Sequence, residues 1–404
     1  MSQLVSERVR HDFPLLQSER PLVYFDNACA TLKPEPVLQA MDEYNREYPT
    51  CGGRSINRLG ERVTRAVANA RIAVARFLNA AQPEEILFVR NTTEGINLLA
   101  RGLDLQPGDV VLTTDKEHNS NLVPWQLLAQ QRGVVHTVVR THADGTFDMA
   151  AYQAALASGK VRLVAMGQVS NLDGVAIPAE HVIEAAHAAG ALVLLDAAQA
   201  APHHHLDVQA LDVDMLVFSG HKLCGPSGTG VVYVRHQLLE QLQPFIVGGS
   251  TVSATTYDGF TLLPARERFE GGTQDYAGII GLGAAIAYVT DVGLANISAH
   301  EHALNRYATE RMSQLTGVQI IGPDAAQRSG ILSFTIDGVD IHQIALALDN
   351  GSDVLVRSGQ HCVHSWFTDR GLYGSVRLSF YFYNTTHEID QCINGLEQII
   401  AVYT

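Results

Sequence analysis

The chain of 404 residues reads as an α/β protein: a large domain on a mainly parallel seven-stranded sheet, then a smaller C-terminal α+β domain. Three observations predict this. Between about 21 and 235, short apolar runs alternate with helical stretches. Several runs are apolar without alternation, the pattern of strands covered on both faces. After a long helical pattern at 276–292, a second regime of strands and flanking helices begins.

In chain order, the strand candidates of the first regime are 86–89, 110–113, 134–139, 163–166, 192–195, 215–218 and 231–234. Helical patterns at 61–80, 92–101 and 179–189 lie between them. From 243 to 275 the periodicity fades into glycine-punctuated sequence that reads as surface or interface loops. The second regime offers strands at 330–336, 354–356 and 376–382, with helices at 341–349 and 386–403. The expected domains are 15–275 and 276–404, with 1–20 packing on the smaller one.

Composition narrows the function classes. Charged residues are 17% and apolar ones 46%, an ordinary globular balance. The net charge of -14, with no basic run or basic aromatic stripe, argues against nucleic acid as a partner. No apolar stretch approaches the roughly 20 residues of a membrane span. The first residues, Met1-Ser-Gln-Leu-Val-Ser-Glu-Arg8, lack a signal-peptide pattern. Five cysteines without a CxxC argue against a disulfide framework, so a cytoplasmic setting is expected.

The chemistry-bearing residues cluster at predicted strand ends. Lys222 stands in Ser219-Gly-His-Lys222, followed by the glycine turn Gly225-Pro-Ser-Gly-Thr-Gly230. A strand-end lysine is more often a surface cation, but hydroxyl, imidazole and glycine neighbours suit a bound phosphate and ring. Asp196 ends another strand, with Gln199 three residues on; a helix N-cap is its bland alternative. A lysine able to form an imine, with a carboxylate to hold a ring nitrogen protonated, is the minimum equipment for pyridoxal 5'-phosphate (PLP).

Asn91-Thr92-Thr93-Glu94-Gly95 opens a helix after a strand, and reads equally as a phosphate site or a capping box. His118 could stack on a planar cofactor and relay protons, although a loop histidine is commoner. Asn171 sits at a further strand end and could bond a ring oxygen. These segments all fall where open α/β sheets bind ligands.

Cys362 lies in Arg357-Ser-Gly-Gln-His-Cys362, with His364 beyond. The neighbouring arginine and histidines predict a positive field favouring thiolate, and Gly359 predicts a mobile loop. The spacing of His361, Cys362 and His364 matches no zinc pattern, so no metal is expected. His203-His-His205 reads as a solvated turn. Arg377, alternating with apolar residues, could fork onto a substrate carboxylate or make an ordinary salt bridge.

These residues resemble the class V aminotransferase group of fold-type I PLP enzymes, and within it the Suf-type (group II) cysteine desulfurases and selenocysteine lyases. The resemblance runs over most of the chain. It rests on Tyr24-Phe-Asp-Asn-Ala28, Asn91 to Gly95, Glu117-His118 through Trp125, Asp196 to Gln199, Ser219 to Lys222, Gly271-Gly-Thr273, Arg357 to Cys362 and Arg377 to Thr385. It implies that Lys222 carries PLP, Asp196 pairs its ring nitrogen, His118 stacks on the ring, and Asn171 and Gln199 bond its hydroxyl. Thr92, Thr93, Ser219 and His221 would hold the phosphate, with Thr273 supplied across a homodimer.

The same resemblance has Cys362 accepting sulfur, Arg377 binding the substrate carboxylate with Arg357 and Asn171 nearby, and His118 relaying a proton. The implied reaction converts L-cysteine to L-alanine, leaving a persulfide on Cys362 for a sulfur-acceptor protein. Its destination, whether iron–sulfur clusters, thiolated tRNA or a cofactor, stays open. The alternatives are another class V reaction (selenocysteine lyase, C–S lyase or epimerase) and a non-catalytic binding subunit of the same fold. The fifteen positions between Cys362 and Arg377 match the group with a short, ordered cysteine loop. The chain departs from the family pattern at Cys51 to Asn57, at Val363-His-Ser-Trp366 and at Cys224.

Overall fold

A seven-stranded sheet forms the centre of the computed structural model, which describes residues 2–19, 22–53 and 55–403. Its strands are β1 (Ile86–Val89), β2 (Val110–Thr114), β3 (Val135–Val139), β4 (Val161–Gly167), β5 (Leu192–Asp196), β6 (Met215–Ser219) and β7 (Gly230–Val234). All seven correspond to runs expected from the sequence. In space they lie in the order β1-β7-β6-β5-β4-β2-β3.

Only β7 is antiparallel to its neighbours, β1 and β6. The connection 220–229 is too short for the crossover that a parallel pair needs, so the chain doubles back. Because β1 and β6 both oppose β7, the C-terminal ends of β1, β2, β4, β5 and β6 share one edge. The absence of alternation has a simple cause: Val193 to Leu195 and Met215 to Phe218 are fully buried, so no face needs polar residues.

Between 243 and 275 the structure corrects the loop expectation. A hairpin of β8 (Val252–Thr255) and β9 (Phe260–Leu262) occupies part of it. Both strands are mostly exposed, so no burial period marks them in the sequence. The helix Tyr276–Val292 then packs against the helices Glu35–Glu47 and Arg58–Phe77. Leu294–Met312 is a further helix that the periodicity did not separate.

The second sheet contains β10 (Val318–Ile321), β11 (Ile331–Ile336), β12 (Arg357–Gly359) and β13 (Ser375–Ser379), in the order β10-β11-β13-β12. Two strand expectations are corrected here. The run at 354–356 splits: Val354–Leu355 pairs in parallel with Val23–Tyr24, and the chain then turns into β12. The run at 376–382 stops as a strand at Ser379. Phe380 to Tyr383 stay buried but follow their own bonds, Phe380 N–H to Gly330 O at 2.7 Å and Tyr381 N–H to Asn384 Oδ1 at 2.9 Å.

The triple-histidine turn is also corrected. His203 is buried, with Nδ1 2.9 Å from Glu301 Oε1, and only His205 is exposed. Partnering with the carboxylate lets an imidazole enter the core that a run of three histidines would not suggest. Among the described residues, no single helix is long and apolar enough to cross a membrane.

Candidate active site

One cavity of about 270 Å³ opens at the shared strand edge, closed from the other side by residues of β12, β13 and the loop after β12. It is lined by Thr92, Thr93, His118, Asn171, Asp196, Gln199, Ser219, His221, Lys222, Arg357, Cys362 and Arg377. Of the residues expected to react or to hold cofactor or substrate, Thr273 alone lies elsewhere, in a separate cleft with Arg90 and Glu94.

Lys222 ends the short 3₁₀ turn Gly220–Lys222 that continues β6. Burial lowers the pKa of its ammonium, against the pull of Asp196. Asp196, at the tip of β5, accepts one backbone N–H, from Ala198 at 2.9 Å. Among the described residues no ion pair reaches it, and burial raises its pKa despite Lys222. A buried carboxylate in that state suits a cationic N–H partner, which a protonated pyridine nitrogen would be. Gln199 is oriented by its Nε2 bond to Ala28 O at 2.8 Å, while its buried Oε1 has no partner.

At the other end, the helix Thr92–Gly102 begins directly after β1. Asn91 caps it by accepting the Glu94 N–H at 2.9 Å. Thr92 donates its N–H to Ser219 Oγ at 2.9 Å, and its hydroxyl lies 2.7 Å from the same oxygen. Thr93 Oγ1 and Ser120 Oγ are 2.7 Å apart. The cap and a hydroxyl-rich helix start therefore coexist, an arrangement suited to phosphate. His221 joins them as a neutral imidazole, its pKa lowered to about 4 by burial and Lys222.

His118 Nδ1 accepts the Ser120 N–H at 3.1 Å, which leaves Nε2 to carry the proton. Burial, Lys222 and Arg377 lower it to about 3, so the ring is neutral. Its neighbour Glu117 went unassigned from sequence. That carboxylate is buried beneath the site and accepts from Thr114 Oγ1 at 2.6 Å, Asn121 Nδ2 at 2.7 Å and Gly167 N at 2.9 Å. Burial outweighs those donors and raises it to about 7.

The cysteine loop is held from several sides. Asn171 Nδ2 donates to His361 O at 2.7 Å, and Asn119 N–H donates to Cys362 O at 2.7 Å. His361 Nε2 lies 2.9 Å from Ser375 Oγ. His361 and Cys362 both adopt left-handed backbone, at φ 49° and 60°. Non-glycine residues hold that conformation only where their surroundings enforce it. This corrects the mobile-loop expectation for Gly359, whose φ of 120° and pairing with Ser375 give it a conformational role in a fixed strand end. The positive-field expectation also changes: burial, Arg377 and Arg357 lower His361 to about 2, so cationic character near Cys362 comes from the arginines.

Arg377, on β13, is 2% exposed. Its Nη1 donates to Asn171 O at 2.9 Å, its Nη2 meets Asp26 Oδ1 at 3.3 Å, and its Nε is unpartnered. Arg357 reaches Cys29 Sγ at 3.2 Å and Asp26 Oδ2 at 3.8 Å. Asp26 and Cys29 were missed as site residues. Their only signal was position, within and just after the Tyr24 to Ala28 motif.

Residues 23–392 match the family described as Aminotransferase class-V. A cysteine desulfurase of Enterobacter sp. (strain 638) is 42% identical over 400 residues, covering 97% of this chain and 98% of that protein. The apo structure of a cysteine desulfurase from Thermococcus onnurineus NA1 superposes with a TM-score of 0.94 at 36% identity, covering 98% of both chains. A mutant of C-DES with glycine covalently linked to its PLP cofactor superposes with a TM-score of 0.82 at 25% identity, over 98% of this chain and 99% of that one.

Proposed function

The chain belongs to the class-V aminotransferase family, and from that premise we propose that it is a PLP-dependent cysteine desulfurase, converting L-cysteine to L-alanine and leaving the sulfur on Cys362. The observation that carries this reading is that Cys362, Lys222 and Arg377 line one cavity. A lysine base, a carboxylate-binding guanidinium and an accessible thiol are what the reaction needs on three sides of its substrate.

The residues fit the cofactor. Asp196 would face the ring nitrogen, His118 the ring face, and Asn171 and Gln199 the ring oxygen. Thr92, Thr93, Ser219 and His221 would hold the phosphate, and Lys222 would bind covalently. When bound, PLP accepts the electrons released at the substrate α-carbon into its ring.

The chain supplies the rest. Arg377 binds the substrate carboxylate through its guanidinium, oriented by Asn171 O and Asp26, with Arg357 beside it. Lys222 Nζ, made easier to deprotonate by burial, takes the α-proton. The neutral His118 holds a proton at Nε2 and passes it where the leaving group needs one. Cys362 Sγ attacks the substrate sulfur, so a C–S bond breaks as the Cys362 S–S bond forms, and alanine departs.

Thr273 lies outside its own chain's cavity. In the proposed homodimer it would serve the partner's phosphate site, and a sulfur-acceptor protein would collect the persulfide.

The test compares purified wild type with Cys362→Ala for the PLP absorbance band and for alanine formed from L-cysteine. Wild type should be yellow and make alanine; the variant should stay yellow and lose alanine formation by about a hundredfold or more. A variant that keeps turnover would move the function to a C–S lyase or another class V reaction. A wild type that stays colourless after PLP is supplied would indicate a non-catalytic binding subunit.

A further inference from the structure

Two thiols line the cavity, Cys29 and Cys362. The other three cysteines stand apart from it: Cys224 and Cys392 are buried in the core and Cys51 is exposed beyond it. Cys29 is fixed in the wall by its neighbours. Its N–H donates to Asp26 O at 3.1 Å, Ala28 N–H donates to Ser379 Oγ at 2.9 Å, and Ala28 O accepts from Gln199.

Arg357 places a charged donor on its sulfur, Nη1 to Sγ at 3.2 Å, a contact suited to an anionic sulfur species. A second guanidinium in the same cavity, that of the buried Arg377, keeps an unpartnered Nε. The cavity thus presents two guanidinium groups, one of them in direct contact with the Cys29 sulfur.

The Cys362 loop is short and clamped by Asn119, Asn171 and Ser375. A persulfide formed on Cys362 therefore stays in the cavity that Cys29 also faces. We propose that Cys29 is a second sulfur-carrying residue, receiving the terminal sulfur of the Cys362 persulfide so that each chain stores two transferable sulfurs. This rests on the desulfurase reading.

The exchange balances without an oxidant or reductant. The Cys29 thiolate attacks the outer sulfur of Cys362–S–SH; the Cys29 S–S bond forms as the Cys362 S–S bond breaks. Cys362 leaves as thiolate, and the proton lost by Cys29 remains on the pair. A second L-cysteine then reloads Cys362.

Holoenzyme is mixed with L-cysteine anaerobically, without reductant or acceptor, for wild type, Cys29→Ser and Cys362→Ser. After quenching with an alkylating reagent, alanine is counted and persulfides are located by peptide mass spectrometry. Wild type should give an alanine burst of about two per chain with persulfide on both cysteines, and Cys29→Ser about one, on Cys362 alone. Cys362→Ser should give neither alanine nor persulfide. The wild-type map needs no variant, so a misfolded Cys29→Ser leaves the test intact. Persulfide on Cys362 alone in wild type, with a burst of one, overturns the relay. So does a Cys29–Cys362 disulfide with free sulfide, or persulfide on Cys29 in the Cys362→Ser protein. If wild type forms neither alanine nor persulfide, the desulfurase reading itself fails.

Discussion

His361 packs its imidazole against Phe367, with ring centroids 6.2 Å apart, and sets Nε2 against Ser375 Oγ. Buried beside two guanidinium groups, it is held neutral down to about pH 2, whereas an unfolded histidine titrates near 6.5. Between those values the unfolded chain binds the extra proton. The contribution is therefore fully present above about 6.5 and is lost progressively as the pH falls below it. From pH 7 to pH 5 the loss is about 2 kcal/mol. Gln in place of His361 keeps a donor for Ser375 but does not titrate. In denaturant titrations at the two pH values, wild type should therefore lose about 2 kcal/mol more than His361→Gln. Equal losses would mean that this imidazole charges freely in the folded protein. The same neutrality matters for chemistry, because the anion-binding character around Cys362 then depends on Arg357 and Arg377 rather than on the histidine beside it.

At the level of elements, the phosphate end of the site depends on how closely the helix Thr92–Gly102 approaches the start of β7. A Cβ on Gly230 would lie 2.7 Å from Asn91 Cα and 2.9 Å from Asn91 C and N, all backbone atoms that cannot swing aside. Gly230→Ala should push the helix start off the sheet and away from Ser219. Weaker PLP retention is expected, by about tenfold or more on gel filtration or in a titration of apoprotein, since a hydrogen-bonding set displaced from a charged group loses about 1.5–3 kcal/mol. Unchanged retention would place the phosphate elsewhere. Apolar runs without alternation announced the sheet, but the glycine turn after Lys222 reads from sequence as room for a bound ring, whereas at Gly230 it admits the backbone of Asn91. What stayed hidden has physical reasons. The β8–β9 hairpin is exposed on both faces, so it carries no burial signal. Phe380 to Tyr383 look like strand because they are buried, although side-chain and loop bonds hold them. Asp26 and Cys29 acquire their character from Arg377 and Arg357, far away in sequence, and Glu117 owes part of its own to Gly167.

For the whole molecule, the question is what keeps Arg377 and Cys362 in register with Lys222, since they come from different sheets. The answer lies in the segment just past β13, which enters the core of the larger sheet, while β11 and β13 pack in a cluster of their own. One apolar cluster runs from the seven-stranded sheet through Ile279 and Leu282 to Tyr381, Phe382 and Tyr383, and takes in Val9, Phe13 and Leu16 from the start of the chain. Phe13, with no exposed surface, bridges the two sides: its ring lies 6.0 Å from Tyr288, 5.9 Å from Phe382 and 4.6 Å from Tyr383. Arg10 adds a bond to Tyr383 O at 2.7 Å and an ion pair to Glu388 at 2.8 Å. Because Tyr381 to Tyr383 continue β13 directly into the core of the larger sheet, the two sheets should unfold together. Phe13→Ala should cost about 3–5 kcal/mol through the cavity it leaves. The denaturant midpoint should fall while the slope stays constant, and the tryptophan and far-ultraviolet signals should move together, since the same surface is exposed in one step. A reduced slope, or two separated transitions, would mean that the sheets are joined only locally. The relative placement of Cys362 and Lys222 would then need the bound cofactor to fix it, whereas a single transition makes that placement a property of the folded chain.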